Sequence, residues 1–226
     1  MTGGFGALGR SVARAAVRRG WRAALVDLHP EGPGDLAAEL GEGALLLGGV
    51  DLADPVSARG AMDEAHARLG ALQVLVNAAG GFTWRPFEDG GAPQAFGDMH
   101  RINLATALNA SAAALPHLLA SGSGRIVNVG ANAAVKAGAG MGAYAASKAA
   151  VHRLTESLAE ELKDRGVTVN AVLPSILDTP ANRADMPDAD FARWVSPDDL
   201  AEVILFLASE EAAAVTGALL PVTGRV

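Results

Sequence analysis

The sequence predicts an α/β fold in which helices cover both faces of a mainly parallel, doubly wound sheet. Short apolar runs alternate with helical patterns along the chain, which is typical of parallel strands joined by helical crossovers. A glycine-rich turn at residues 2–9 leads directly into an amphipathic helix. With 226 residues, half of them hydrophobic, the chain is long enough for one sizeable core. We therefore predict one domain over residues 1–226.

The opening segment, TGGFGALG at residues 2–9, predicts a phosphate-binding loop. Glycine lets a ligand approach the backbone, and the free N–H groups of a helix N-terminus attract anions. The arginine-rich stretch 10–22, which contains no acidic residue, is also typical of a mitochondrial transit peptide. The next segment favours the loop. AALV ends at Asp27, about 20 residues beyond the glycines, where a dinucleotide fold places its ribose-binding acid.

The later elements alternate in the same way. Further strands are predicted at 44–51, 72–77, 124–130, 167–174 and 217–224, and further helices at 54–70, 94–119, 141–165 and 196–209. Asp54 and Pro55 provide an N-cap and a first helical residue for one of these helices. Residues 175–196 contain prolines and apolar anchors and are predicted to form a flap.

Composition excludes several classes of function. The net charge of −7 has the wrong sign for binding nucleic acid or an anionic membrane surface. The chain has no cysteine, which excludes disulfides and thiolate chemistry and is consistent with a cytoplasmic location. Its five histidines lack metal-binding spacing, so we expect no metal site. The most apolar window is too short to span a bilayer.

Tyr144 and Lys148 are the strongest candidates for catalytic residues. They are four apart in a predicted helix, so both side chains lie on one face. A nearby ammonium favours the phenolate, which predicts a lowered pKa for Tyr144. Such a phenol can exchange a proton with a carbonyl or imine near neutral pH. The alternative is an ordinary alanine-rich helix with a surface lysine.

These features together resemble the short-chain dehydrogenase/reductase family over essentially the whole chain. The matching segments are TGGFGALG, Asp27, Asp51–Leu52, NAAG at 77–80, Asn103, YAASK at 144–148 and NAVLPSILDT at 170–179. The resemblance implies a single Rossmann-like domain, hydride transfer to or from a nicotinamide cofactor, and a small-molecule substrate. It also implies a homodimer or homotetramer, in which the alanine-rich helices 94–119 and 141–165 pair across the interface.

The resemblance assigns roles to individual residues. Tyr144 is the implied proton donor or acceptor, Lys148 binds the nicotinamide ribose and lowers the pKa of Tyr144, and Asn103 supports a proton relay through water. The implied cofactor-binding residues are Gly3, Gly6, Leu8, Gly9, Asp27, Asp51, Leu52, Asn77, Ala78, Gly80, Tyr144, Lys148, Pro174, Ile176 and Thr179. Asp27 would repel a 2′-phosphate, so NAD(H) is favoured, with NADP(H) as the alternative.

Three departures from the family pattern stand out. Ala7 occupies the place of the middle glycine, and it is small enough for phosphate binding to survive. Ala131 and Asn132 stand where the family has its catalytic serine, so no hydroxyl is expected there. The family's first strand is absent before the glycine loop, which predicts unpaired backbone groups on both neighbouring strands. We expect Met1 to be a misplaced start, with a Val-rich strand upstream.

Within the family the chain is most similar to dihydropteridine reductase-like members. The shared features are the GGFGALG loop, the absent serine and the run LPSILDTPANRADMPDADFARW. Trp84, Phe191 and Trp194 are expected either to stack on a flat heterocycle or to close a lid over the core. Two other functions are considered: a dinucleotide-binding protein without catalysis, which the absent serine and absent strand favour, and a structural or interaction protein.

Overall fold

The computed structural model describes residues 1–226, in which six strands alternate with eight α-helices. The strands are β1 Ala23–Val26, β2 Ala44–Leu47, β3 Val74–Asn77, β4 Arg125–Val129, β5 Thr168–Pro174 and β6 Leu219–Val222. The helices are α1 Ala7–Arg18, α2 Leu36–Leu40, α3 Pro55–Leu69, α4 Ala92–Met99, α5 Thr106–Ala120, α6 Gly142–Leu162, α7 Pro180–Asp185 and α8 Pro197–Leu207.

The sheet is parallel throughout and falls into two parts. One part pairs β1 with β2, and the other has the order β3-β4-β5-β6. Thr2 joins them through two single bridges, to Val26 at the end of β1 and to Asn77 at the end of β3. One residue therefore occupies the place of a central strand. The predicted parallel sheet is confirmed.

Helices pack on both faces of the sheet. On one face, α3, α5 and α6 cover the strands with a core that includes Met62, Leu118 and Ile126. On the other face, α1 and α8 pack against each other and on the central strands through Val12 and Ile204. Both layers bury apolar side chains against the sheet, as a doubly wound fold requires. The predicted fold class is confirmed.

Local sequence signals determine where several helices begin and end. Asp54 accepts hydrogen bonds from the backbone N–H groups of Val56 and Ser57, with Pro55 as the first residue of α3. Gly70 ends that helix at a φ of 82°, a backbone conformation that glycine adopts without strain. Ser196 caps the start of α8, where its hydroxyl oxygen accepts a hydrogen bond from the backbone N–H of Asp199.

The arginine-rich segment near the start of the chain is an integral part of this fold. In α1, the side chains of Val12, Ala13 and Ala16 are buried. Its arginines form ion pairs with acidic residues elsewhere: Arg10 with Asp35, Arg14 with Glu39, and Arg19 with Glu202. The transit-peptide interpretation is therefore wrong. No helix in the molecule combines the length and apolar character needed to cross a membrane.

The helix predicted at 94–119 is interrupted. A π-helical turn, His100–Ala105, separates α4 from α5 and contains the buried Asn103. A π-turn inserts one extra residue into a helical turn, and such insertions are frequent at functional sites. The helical stretch 92–120 contains the predicted 94–119, but the periodicity of the sequence does not distinguish the π-turn from ordinary helix, so the predicted element was too regular.

Candidate active site

The glycine loop, residues 2–9, requires glycine at three of its positions. A Cβ on Gly4 would lie 2.8 Å from the Leu25 Cα. Gly3 has a φ of +62°, and a Cβ there would lie 2.9 Å from the Ala79 backbone. A Cβ on Gly9 would lie 2.2 Å from the Gly3 carbonyl oxygen, which is closer than any real contact. Gly6 is exposed, and a Cβ built on it would have the Gly3 carbonyl oxygen as its nearest atom, at 3.5 Å. The loop thus packs tightly on its inner side and leaves Gly6 accessible.

Thr2 connects this loop to the turn after β3. Its hydroxyl oxygen accepts hydrogen bonds from the backbone N–H groups of Ala78 and Ala79, each at 3.1 Å. The two segments that the sequence marked as NAAG and TGGFGALG are therefore fixed next to each other. Nothing in the sequence shows that the Thr2 side chain supports the second motif.

A cavity of about 440 Å³ lies between the glycine loop and the start of α7. Its walls are Gly3, Gly6, Ala7, Leu8, Gly9, Ala78, Thr179, Pro180 and Ala181. Six predicted cofactor-binding residues are thus brought together. The first N–H groups of α1 have no acceptor within the helix, so this end of the cavity attracts an anion. Ala7 is exposed at the cavity wall, and its methyl group leaves the cavity accessible.

Asp27 lies at the end of β1 and contacts the glycine loop. One carboxylate oxygen accepts from Phe5 N–H at 2.9 Å, and the other accepts from His29 N–H at 3.1 Å. The side chain is buried, with 8% exposed. Because a carboxylate oxygen can accept more than one hydrogen bond, each oxygen keeps the capacity to bind a hydroxyl group. Asp27 is thus held in one orientation beside the loop.

Asp51 and Leu52, two further predicted cofactor residues, lie between β2 and α3. Asp51 accepts from Ala53 N–H and forms an ion pair with Arg101. Leu52 is buried, and its carbonyl accepts from the Asn109 side chain at 3.0 Å. These contacts hold residues 51 and 52 against the π-turn and α5.

Asn77 has its side chain directed into the interior of the sheet. Its amide donates to the Asn128 side chain at 2.9 Å and to the Ser111 hydroxyl at 3.0 Å. The structure therefore leaves only the backbone of Asn77 for a ligand. Pro174 is the last residue of β5, and the Ile176 carbonyl accepts from Val195 N–H at 3.0 Å.

Tyr144 and Lys148 lie in the first half of α6. Lys148 is buried, and its ammonium donates to the Val129 carbonyl oxygen at 2.8 Å. Burial lowers the pKa of Lys148 to about 8. Burial raises the pKa of Tyr144 to about 12, the opposite of the lowering that the spacing predicted. Desolvation of the phenol outweighs the lysine charge, which is directed at the Val129 carbonyl instead.

Asn103 organises the backbone next to this pair. Its side-chain oxygen accepts from Gly81 N–H at 3.0 Å, and its amide donates to the Gly81 carbonyl at 3.1 Å and to the Ser147 hydroxyl at 3.0 Å. A Cβ on Gly80 would lie 2.4 Å from the Asn103 side-chain oxygen and 3.3 Å from the Lys148 ammonium. The structure therefore places Gly80, Asn103 and Lys148 together. The sequence alone does not indicate that the Ser147 hydroxyl accepts a hydrogen bond from Asn103.

The position without a catalytic serine is packed shut. Ala131 is 2% exposed, and its N–H donates to the His152 ring at 3.4 Å. Burial, with a smaller contribution from Arg153 and Lys148, lowers the pKa of His152, which favours the neutral ring as acceptor. Asn132 is exposed and begins a short 3₁₀ turn. No hydroxyl group is present at this position.

Comparison with known proteins matches residues 1–190 to the short chain dehydrogenase family. The chain belongs to this family. A 4-formylbenzenesulfonate dehydrogenase of Comamonas testosteroni is 35% identical over 99% of this chain and 95% of its own length. A D-threitol dehydrogenase of Mycolicibacterium smegmatis is 35% identical over 99% of this chain and 90% of its own length.

A solved structure has the same architecture. Carveol dehydrogenase from Mycobacterium avium in complex with NAD superposes with a TM-score of 0.85 at 27% identity, covering 99% of this chain and 95% of the other. Because the named relatives are dehydrogenases, this short-chain dehydrogenase is an oxidoreductase. None of the relatives named here is a dihydropteridine reductase.

Two groups of aromatic side chains border the site of this short-chain dehydrogenase. Phe191 and Trp194 pack on each other with ring centroids 4.8 Å apart, and Trp194 is 9% exposed. Both predicted roles of these two residues, stacking on a ligand and closing a lid, stay predictions. Phe82 meets the ring of Tyr144 edge-on at 5.0 Å, and Trp84 donates to the Ala139 carbonyl at 3.0 Å. Both remain more than half exposed.

Proposed function

We propose that this protein transfers hydride between the nicotinamide of NAD(H) and a carbonyl or conjugated imine. The observation that carries the proposal is the cluster of Tyr144, Lys148, Asn103 and Gly80 beside the glycine-loop cavity. A bound nicotinamide dinucleotide would supply or accept the hydride. The glycine loop, with free N–H groups at the start of α1, would bind its pyrophosphate.

Tyr144 is proposed as the acid that gives its proton to the oxygen or nitrogen that gains charge, and as the base in the reverse direction. Its own pKa is too high for it to act as a base near neutral pH without help. Lys148 lies one helical turn after Tyr144, and we propose that its ammonium leaves the Val129 carbonyl for a bound ribose and thereby comes closer to the phenol. Asn103 is proposed to support a water relay at this point.

NAD(H) is the preferred cofactor in this proposal because of Asp27. Its buried carboxylate would bind both ribose hydroxyls but would repel a 2′-phosphate. The residues that follow, Leu28, His29 and Pro30, offer no arginine to offset the repulsion. The NAD in the carveol dehydrogenase structure agrees with this preference. NADP(H) is the alternative.

The cofactor proposal is tested by comparing kcat/KM for NADH and NADPH in the natural chain and in Asp27→Asn. We expect a higher value for NADH in the natural chain, and a gain for NADPH in the variant because the charge is removed. Asp35→Asn is the matched control, since that carboxylate is exposed and only pairs with Arg10. A natural chain that prefers NADPH would show that Asp27 is wrongly assigned.

For the substrate we propose a flat conjugated heterocycle such as a quinonoid dihydropterin. Ketone reduction concentrates charge on one oxygen, and losing one donor to such an oxygen costs about 10²- to 10³-fold in rate. Ala131 cannot donate from its side chain, whereas a conjugated ring spreads the charge and needs one acid. The exposed rings of Phe82 and Trp84 offer surfaces on which a flat ring can stack.

The substrate proposal is tested with quinonoid dihydropterin and a panel of ketones and aldehydes, following NADH oxidation. We expect turnover of the pterin by the natural chain and little gain from Ala131→Ser with this substrate. Ketone rates should rise in Ala131→Ser and stay unchanged in the control Ala133→Ser, two residues further along the loop. If the natural chain reduces simple ketones well but does not turn over the pterin, the substrate proposal is wrong and the oxidoreductase proposal still holds.

The non-catalytic alternative predicts a different outcome in the same assay. A protein that only binds the dinucleotide changes NADH fluorescence once, on mixing, whereas turnover consumes the cofactor. The retained Tyr144, Lys148 and Asn103 favour turnover. We also propose a homodimer or homotetramer, supported by the exposed Leu108 on α5 and measurable as molar mass by light scattering.

A further inference from the structure

The post-β4 loop, residues 130–141, connects β4 to the helix that carries Tyr144. Its second residue is Ala131, the position without a catalytic serine. Its last residue is Met141, which directly precedes α6 and lies three residues before Tyr144. The position of this loop therefore affects how a substrate lies against the Tyr144 phenol.

The far end of the post-β4 loop is held by the segment after β3. The Trp84 indole N–H donates to the Ala139 carbonyl at 3.0 Å, and Arg85 N–H donates to the Gly140 carbonyl at 2.7 Å. Gly140 has a φ of +73°, and a Cβ there would overlap the Trp84 indole ring. The far end of the loop and the exposed ring of Trp84 thus pack as one unit.

The near end of the loop is held by His152. This residue lies in α6 one turn after Lys148 and two turns after Tyr144, and it is 4% exposed. Its Nε2 atom accepts a hydrogen bond from Ala131 N–H at 3.4 Å. A Cβ on Gly130 would lie 2.5 Å from the same atom. The imidazole therefore packs directly on the backbone with which the loop begins.

The contact between His152 and Ala131 requires a neutral ring. A neutral imidazole has one nitrogen that accepts a hydrogen bond, whereas a protonated imidazole has two donors and no acceptor. Ala131 is 2% exposed, so its N–H has no access to water while the loop stays in place. A buried N–H without a partner is unfavourable. Loss of the acceptor would therefore favour a displaced loop in which this N–H reaches water.

We propose that His152 is a positioning residue, whose neutral ring holds the start of the post-β4 loop and thereby sets the position of the loop beside Tyr144. His152 acts on the loop backbone and not on the substrate. Its effect on turnover rests on the proposed function, whereas its effect on the loop does not. Because protonation places a second donor opposite Ala131 N–H, the loop should loosen as the pH falls below the ordinary histidine value of about 6.5.

The surroundings of His152 favour its neutral form. Burial lowers the pKa of His152, and the cations Arg153 and Lys148 lower it further, whereas Glu156 raises it. The strand β5 has no ionisable residue, and β4 has only Arg125, at its opposite end. The ionisable residues of α4, the π-turn and the post-β4 loop are all exposed: Asp98, His100, Arg101 and Lys136. The ring is therefore neutral at pH 7.

The test compares the natural chain with His152→Gln and His152→Leu. The glutamine amide oxygen can accept a hydrogen bond and does not titrate, whereas leucine accepts none. Hydrogen exchange at the amides of Ala131 and Arg85 reports on the two ends of the loop without catalysis. We expect both amides to exchange at least about tenfold faster in His152→Leu and within about threefold of the natural rate in His152→Gln.

The dependence on pH separates the neutral ring from the protonated one. The exchange rate at Ala131 in the natural chain, divided by the rate in His152→Gln, should rise as the pH falls from 7.5 to 5.5, because only the natural ring binds a proton there. The effect of pH on exchange itself cancels in this ratio. His117→Gln is the matched control, because it removes an imidazole that contacts His66 and Asp63 instead. Exchange at Ala131 in this control should follow the natural chain.

Turnover tests the positioning role. We expect kcat at pH 7.5 to fall at least about tenfold in His152→Leu and to stay close to the natural value in His152→Gln. The dissociation constant for NADH should change less than about twofold in both variants. Unchanged exchange at Ala131 and Arg85 in His152→Leu would overturn the proposal, as would an exchange ratio that does not depend on pH.

Faster exchange in His152→Leu with an unchanged kcat would also overturn the proposal, because the loop would then be held without positioning the substrate. If no chain turned over any substrate while exchange behaved as expected, the proposed function would be wrong and the hold of His152 on the loop would stand. Failure of the one proposal is thus distinguishable from failure of the other.

Discussion

At the scale of single residues, Tyr144 and Lys148 lie in surroundings that oppose their charged forms. We predict that Tyr144→Phe lowers kcat by about 10²- to 10⁴-fold, because the ring is kept and only the acid is lost. The dissociation constant for NADH, measured by fluorescence titration, should change less than twofold. A variant with a nearly normal rate would mean that another group supplies the proton.

Lys148 should reveal a conflict between stability and activity. A pKa of about 8 for the buried ammonium, against the ordinary 10.5, corresponds to about 3 kcal/mol of unfavourable desolvation below pH 8. In Lys148→Met that penalty is absent, while the Val129 carbonyl loses its partner at a cost of about 1 kcal/mol. We expect a net gain in unfolding free energy of about 1–2 kcal/mol at pH 7, with activity abolished.

The gain in Lys148→Met should be complete below pH 8 and should disappear as the pH rises to 10.5 and beyond, because above 10.5 the lysine is neutral in both states. Denaturant unfolding at pH 7 and 10 measures it. Lys136→Met is the matched control, because that side chain is exposed and should leave stability unchanged. A Lys148→Met variant less stable than the natural chain would mean that the ammonium contributes more through its hydrogen bond than it loses by burial.

The sequence identified these two residues correctly as neighbours, because helical spacing alone determines which side chains share a face. It gave the wrong direction for the pKa of Tyr144. Spacing contains no information about desolvation, which depends on segments far away in the chain, such as Phe82 against the Tyr144 ring. The same limit explains why Ser147 and Thr2 were missed as supporting residues.

At the scale of elements, the turn after β3 depends on the absence of a side chain at Gly80. A Cβ there would lie 2.4 Å from the Asn103 oxygen, which is held by Gly81 and cannot move away freely. We predict that Gly80→Ala lowers kcat/KM at least 100-fold, because Asn103 and Lys148 are displaced together. It should also lower the melting temperature.

Gly60→Ala is the matched control for Gly80→Ala. Gly60 lies within α3, and nothing lies within 4 Å of a Cβ built there. Alanine should stabilise the helix by about 1 kcal/mol through its higher helix propensity, with activity unchanged. If Gly80→Ala behaved like Gly60→Ala in both measurements, the turn would tolerate a side chain and the close packing described above would not control catalysis.

The elements themselves were largely predictable. All six strands and the capped helices α3 and α8 have strong local signals, either apolar runs between breakers or an N-cap followed by proline. The π-turn at His100–Ala105 and the short helices α2 and α7 were not predicted. The π-turn depends on a contact of Asn103 with Gly81 in another segment, which leaves no periodic signal in the sequence. The helices α2 and α7 have only five and six residues, too few for a clear period.

At the scale of the whole molecule, the sheet is held together across its centre by one residue. The sequence predicted a parallel sheet from its alternating apolar runs and helical patterns. It could not show that the two parts of the sheet stay one strand apart. That separation depends on α1 and α8 packing over one face and α3 over the other, and therefore on the complete fold.

The buried amino group of Met1 predicts how the stability of the whole molecule depends on pH. Its pKa is lowered from 8.0 to about 5 by burial, so the folded state binds this proton less readily than the unfolded state. Above pH 8 the amino group is neutral in both states and does not lower the free energy of unfolding. As the pH falls from 8 to 5, only the unfolded chain binds the proton, and the free energy of unfolding falls by up to about 4 kcal/mol. Acetylation of Met1 removes the titrating group but keeps the N–H that bonds Ala24.

We therefore expect the unfolding free energies of the unmodified and acetylated chains to agree closely at pH 8.5 and to diverge progressively towards pH 5.5, with the acetylated chain more stable. All other titrating groups are common to the two chains, so their contributions cancel in the difference. Urea unfolding at four or five pH values measures it. A constant difference across this range would show that the Met1 amino group stays solvated beside Ala24 in the folded state.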